Sequence, residues 1–155
     1  MPQTSWLLWG HLLATVVFVG YYVLLAAVVI PAVTRALPGW GSEAFALLAA
    51  IERRALPLLL ASLGLFLATG VLLQAADPQY AGPGQVRGAW ASLLLVKHLV
   101  VVGMLVVGSV LDGLVVRGGR DERPSALAAP LVRTSRAQAA LGVLVLLITA
   151  AAQGA

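Results

Sequence analysis

The chain has 155 residues, of which 61% are hydrophobic and only 10% charged, with a net charge of +4. A soluble globular domain carries about a quarter charged residues, so this chain cannot cover itself with a polar surface and reads as an integral membrane protein. It has no cysteine, which excludes disulfides, thiolate metal sites, c-type haem attachment and iron–sulfur clusters, and its two histidines exclude a multi-haem cytochrome with two histidines per haem.

Four apolar segments follow in chain order. The first covers about residues 6–30, from Trp6 to Ile30, where Pro31 is expected to stop the helix. The N-terminal MPQTSW lacks the basic region of a secretory signal peptide, and the apolar stretch after it is too long for one, so this segment is expected to remain as a span. Residues 42–54, SEAFALLAAIERR, predict an amphipathic helical extension with Ser42 as N-cap and Glu43 in the first turn. It leads into a second span at about 55–75, in which Pro57 removes the hydrogen bond to the Arg53 carbonyl and predicts a kink. DPQYAGPG, Asp77 to Gly84, is a dense turn signal. The third span covers about 89–116. The fourth, the shortest, covers about 137–152 after the charged connection RGGRDERPSALAAP, Arg117 to Pro130. Each segment reaches or approaches the ~20 residues that cross a bilayer core. No internal repeat and no second domain is visible. The expected fold is all-α, one domain over residues 1–155, an antiparallel four-helix bundle in the membrane.

Arginines set the expected orientation. Arg35, Arg53 and Arg54 border the first connection, while Arg117, Arg120 and Arg123 lie in the third, with Arg133 and Arg136 leading into the last span. The N-terminus, second connection and C-terminus contribute only Arg87. By the positive-inside rule, connections one and three are cytoplasmic and both termini face outward. Trp6, Trp9 and Trp90 then form an outer aromatic belt. The same placement of arginines, between apolar segments, argues against nucleic acid as a partner and for the lipid bilayer.

Two polar layers follow from counting depth at ~1.5 Å per residue. His11, Lys97, His98, Thr69 and Thr149 come to a similar depth in the outer half. An ionisable group at that depth is a functional-site hypothesis because lipid cannot solvate it. Lys97 shares a stripe of span three with Trp90, Val101, Met104, Gly108 and Asp112, whereas His98 is rotated from it by about 100°. On span one, His11, Thr15, Phe18 and Tyr22 share a face. Spans one and three are expected to face each other across the bundle axis, which leaves room for a flat porphyrin with His11 and His98 as ligands. The competing reading is a structural polar cluster, with Gly10/Ala14 and Gly64/Ala68 as helix-packing pairs. Lys97 reads as a counter-ion for a propionate, as a lysine kept neutral by burial, or as a side chain that snorkels to the interface. The second layer holds Asp112, ~22 Å deeper than Lys97, at the level of Glu52, Arg53 and Arg54. An ion pair from Asp112 to Arg53 or Arg54, as a structural clamp, is the expectation there.

Four stretches carry a family resemblance. HLLATVVFVGYYVLLAAVVIPAV resembles the first helix of a copper-resistance-D (CopD) domain, and ERRALPLLLASLGLFLATGVLL its second. WASLLLVKHLVVVGMLV resembles the third, with the intramembrane Lys, and LVRTSRAQAALGVLVLL the last, where that family commonly has Glu near the position of Gln138. The His, Arg-Arg and Lys pattern is also similar to HemJ, a related haem-binding protoporphyrinogen oxidase. The resemblance implies a bacterial inner-membrane protein and points to His11, Arg54 and Lys97. A HemJ-like protein would bind haem b and act as a haem-dependent oxidoreductase component, with a quinone or a redox protein as partner and association into homo- or hetero-oligomers. A CopD-like one would move copper. The chain departs from HemJ at the end of span three, where Ser109 and Asp112 replace a His-rich segment, and from copper transporters in having two Met and no Cys. Three readings result: a haem b protein for electron transfer or a redox step, a copper permease, and a non-catalytic transmembrane scaffold.

Overall fold

A computed structural model describes residues 2–77, 82 and 89–152, and the regular structure among them is entirely helical. Helix α1, Pro2–Leu24, passes through a π-helical turn, Leu25–Val29, into α2, Ile30–Ala36. Helix α3 is Ser42–Ala75, α4 is Ala89–Gly118, and a 3-10 turn at Pro124–Leu127 leads into α5, Ala128–Ala152. Four helical stretches, Ser5–Ala36, Ser42–Ala75, Ala91–Gly118 and Pro124–Ala151, are long and apolar enough to cross a membrane. The Pro/Gly turn apart from Asp77 and Gly82, Arg87, and the side chain of Trp90 lie outside the described residues.

The first span does not end at Pro31. In a regular α-helix the Pro31 ring would collide with the carbonyl of Ala27. The π turn directly before it widens the coil there, and the chain stays helical to Ala36. Residues 42–54 and 55–75 form one uninterrupted helix that runs through Pro57. At ~1.5 Å per residue, its 34 residues reach ~50 Å, well beyond a ~30 Å hydrocarbon core. Its first turns therefore run on past the apolar core or the helix tilts. The cap falls on Gly41, with Ser42 as the first helical residue and Glu43 in the first turn.

The connection between α2 and α3 is tight. Gly39 (φ 98°) and Trp40 (φ 52°) both adopt left-handed backbone, which costs a non-glycine residue about 1–2 kcal/mol. Trp40 is held there by burial and by tilted packing on the Phe45 ring, centroids 5.6 Å apart. At the same end of the bundle, Phe45 packs against Gly118 so closely that any side chain at 118 would run into its ring. Leu25, Ile30, Leu111 and Leu131 complete this core, and a second, nearer mid-span, is built from Phe18, Val19, Met104 and Val145.

Helix α1 packs mainly on α3, and α4 on α5. Further contacts join α1 to α5, whereas α3 and α4 meet only sparsely. The outer surface is strongly apolar, with Trp6, Trp9, Leu13, Val16, Leu99 and Leu147 all more than 60% exposed. A water-soluble monomer does not tolerate so much contiguous apolar surface; lipid covers it without cost.

Candidate functional site

The outer layer is organised by His11. Its side chain is 8% exposed and stacks on Phe66 of α3, ring centroids 4.7 Å apart at 21°. His11 Nδ1 lies 3.0 Å from Thr69 Oγ1, while Thr69 donates to the Leu65 carbonyl at 2.6 Å. A hydroxyl has one proton, and here the backbone carbonyl takes it. Thr69 can therefore only accept from His11, so Nδ1 carries a proton, and in the neutral ring the lone pair lies on Nε2. Gly70 leaves room for the ring, since a Cβ there would stand 3.3 Å from His11 Cε1. Thr15, one turn along α1, donates to the His11 carbonyl at 2.7 Å.

Lys97, half-buried on α4, is near enough for its charge to act on the His11 ring. His98 is not part of this grouping. It is exposed, and its Nδ1 lies 2.7 Å from the Leu94 carbonyl of its own helix. One residue of helix rotates it about 100° from Lys97, so the two histidines occupy different surroundings, one inside the bundle and one on its outer face. Thr149 is likewise bonded within its own helix, to the Val145 carbonyl at 2.8 Å. Among the described residues, no group of three or more His, Asp or Glu side chains could hold a metal ion.

The inner layer differs from the expected clamp. Asp112 has Glu52 as its hydrogen-bonding partner, one carboxyl facing the other across α3 and α4. Arg53 lines the same space, and Arg54 is exposed. The reason is angular: adjacent residues on α3 are about 100° apart, so the turn that brings Glu52 to Asp112 leaves Arg53 at the side of the same space and turns Arg54 out of it. Around this pair the sparse contact between α3 and α4 leaves a cavity of about 330 Å³, walled by α1, α3 and α4. Its walls include Phe18, Leu59, Leu63 and Met104, and its polar groups are Tyr21, Tyr22, Glu52, Arg53, Ser109 and Asp112.

Sequence reasoning did not assign Tyr21, Tyr22, Ser109 or the Glu52 carboxyl to a site. The adjacent tyrosines in an otherwise apolar run were a usable signal. Gln138 is fully buried on α5, and both its amide atoms lack a partner. The stripe Leu131, Ser135, Gln138, Val145, buried throughout, has helical spacing that is visible in the sequence alone.

Fold and polar layers together define the class: a small helical bundle with four helices long and apolar enough to cross a membrane, and two internal polar layers. No family model, curated protein or solved structure matches the chain, so its function rests on its own chemistry.

Proposed function

We propose that the chain is an antiparallel four-span protein of the bacterial inner membrane that binds haem b through His11 Nε2, as a CopD- or HemJ-like redox component. The antiparallel reading is supported by contacts that run in reverse along the sequence, His11 with Thr69 and Trp40 with Phe45 for the first pair of spans. The arginines that border connections one and three support cytoplasmic connections there and outward-facing termini.

The observation that carries the haem reading is the Thr69–His11 bond. Ligating histidines typically donate their second ring nitrogen to a fixed acceptor, which sets the tautomer and aims the free lone pair. The donor set suits a porphyrin better than a bare ion, because haem brings four of its own nitrogens and requires only an axial ligand from the protein. Lys97 would supply the positive charge for a propionate, and haem, when bound, would supply one-electron redox chemistry. His98, on the outer face, is not its partner in this bundle. Copper movement rests on the resemblance alone.

The scaffold reading draws on the same bond, since an interhelical hydrogen bond plus ring stacking is also what fixes helix register. Absorption spectra of protein purified from haem-replete cells separate the two. The haem reading predicts a Soret band and a pyridine haemochrome signal that His11→Ala abolishes. Wild-type protein without either signal, destabilised by His11→Ala, would leave the scaffold.

A further inference from the structure

We propose that the groove between the π turn of the first span and α5 holds one anionic phospholipid of the surrounding bilayer, its phosphate on Arg136 and the first part of one acyl chain along the two helices. This site is separate from the His11 layer and does not depend on haem.

The groove has a volume of about 450 Å³ and is open to the outside of the bundle. Ala26, Ala27 and Pro31 of the first span face Ala139 and Ala140 of α5 across it, with Arg136 at one end. Four of these side chains end at Cβ, so the recess exists because they are too short to meet. Leu24 and Val28, on the next stripe of the first span, are both more than half exposed and raise the surface beside it. From Arg136 to Val143, which also lines the wall, α5 rises ~10 Å. Half of a bilayer's hydrocarbon core is ~15 Å deep. An apolar groove of that length therefore takes the headgroup-proximal part of one acyl chain, within one leaflet.

Charge complementarity selects the headgroup. Neither helical segment that walls the groove carries a carboxylate, since residues 1–42 and 128–152 hold no Asp or Glu. Arg136 is exposed, and among the described residues no side chain pairs with it. Only ~22 Å of helix separate Arg136 from Ala151, the far end of the fourth span. A ~30 Å core needs more than that, so Arg136 is rooted below the edge of the core. Its side chain leans towards the start of α5 and reaches the headgroups there, where the abundant anion is lipid phosphate. Arg133, one turn nearer that end, and Arg35, one turn beyond Pro31, are also exposed. Together they attract an anionic headgroup and repel the ammonium of a zwitterionic one. They also disfavour a second copy docked by the same face, which would bring arginines against arginines with no carboxylate to meet them.

The test uses the full chain in detergent and native mass spectrometry, with phosphatidylglycerol and phosphatidylcholine of identical palmitoyl-oleoyl chains as probes. The expected result is one phosphatidylglycerol per chain, bound at least about fivefold more tightly than phosphatidylcholine, the effect of about one basic side chain at a membrane surface. Arg136→Gln should remove most of that preference, whereas Arg120→Gln, in the connection before α5, should keep it. Ala140→Phe fills the groove and should weaken both lipids at least about fivefold with every arginine in place. Equal binding of the two lipids by the wild-type protein overturns the proposal, a comparison that needs no variant. A preference that Arg136→Gln and Arg120→Gln reduce alike also overturns it, because that is attraction to net charge and not a site. A dimer that Ala140→Phe dissociates, without any lipid preference, overturns it and gives the groove to a second copy.

Discussion

Replacing Thr69 by valine removes one oxygen from the bundle while keeping its shape. His11 Nδ1 then loses the acceptor at 3.0 Å, and with 8% exposure the ring cannot turn to water. Thr69 also loses its own bond to the Leu65 carbonyl, a minor effect because a backbone carbonyl in mid-helix already receives an amide proton. Interhelical hydrogen bonds in membrane bundles average about 0.6 kcal/mol and reach about 1.7. Here a buried donor loses its Thr69 acceptor and keeps only the neighbouring Phe66 carbonyl, so Thr69→Val should fall between these values, about 1 kcal/mol, or roughly fivefold in the unfolding equilibrium. Thr69→Ser keeps the oxygen and should be far milder. Unfolding in mixed micelles by titration with dodecyl sulfate, followed by circular dichroism, measures both. If haem is bound, loss of this orienting partner should weaken it about 10- to 100-fold. A valine variant as stable as the serine variant would show that the hydroxyl contributes nothing, and the tautomer argument for His11 would go with it.

Gly118→Ala should destabilise by about 1–3 kcal/mol by forcing the Phe45 ring out of its place; Phe45→Leu in the same chain should recover part of that loss, read by the same titration. Gln138→Leu removes a buried amide that has no partner, so it should raise stability by about 1–3 kcal/mol. A destabilised Gln138→Leu protein would mean that the amide is satisfied. His98→Ala, on an exposed face and bonded only to its own helix, should leave both stability and any haem spectrum unchanged within measurement.

The sequence by itself determined the class of this protein. Four apolar runs, ten basic side chains and six acidic ones leave no way to make a soluble surface, and that conclusion needs only composition and length. It also brought His11, Thr69 and Lys97 to one depth, because depth in a straight span is a count of residues. What counting cannot supply is which side chain faces which. That is a matter of helix rotation and contact, and only the tertiary structure decided it. It set His11 against Thr69 and Phe66, turned His98 to the outer face, and gave Asp112 a second carboxyl where an arginine had been expected. Pro31 teaches the same lesson on a local scale, since a π turn admits a residue that sequence rules treat as a stop. The cavity follows from the sparse meeting of α3 and α4. A gap between helices is a property of their packing, and no residue in either one announces it.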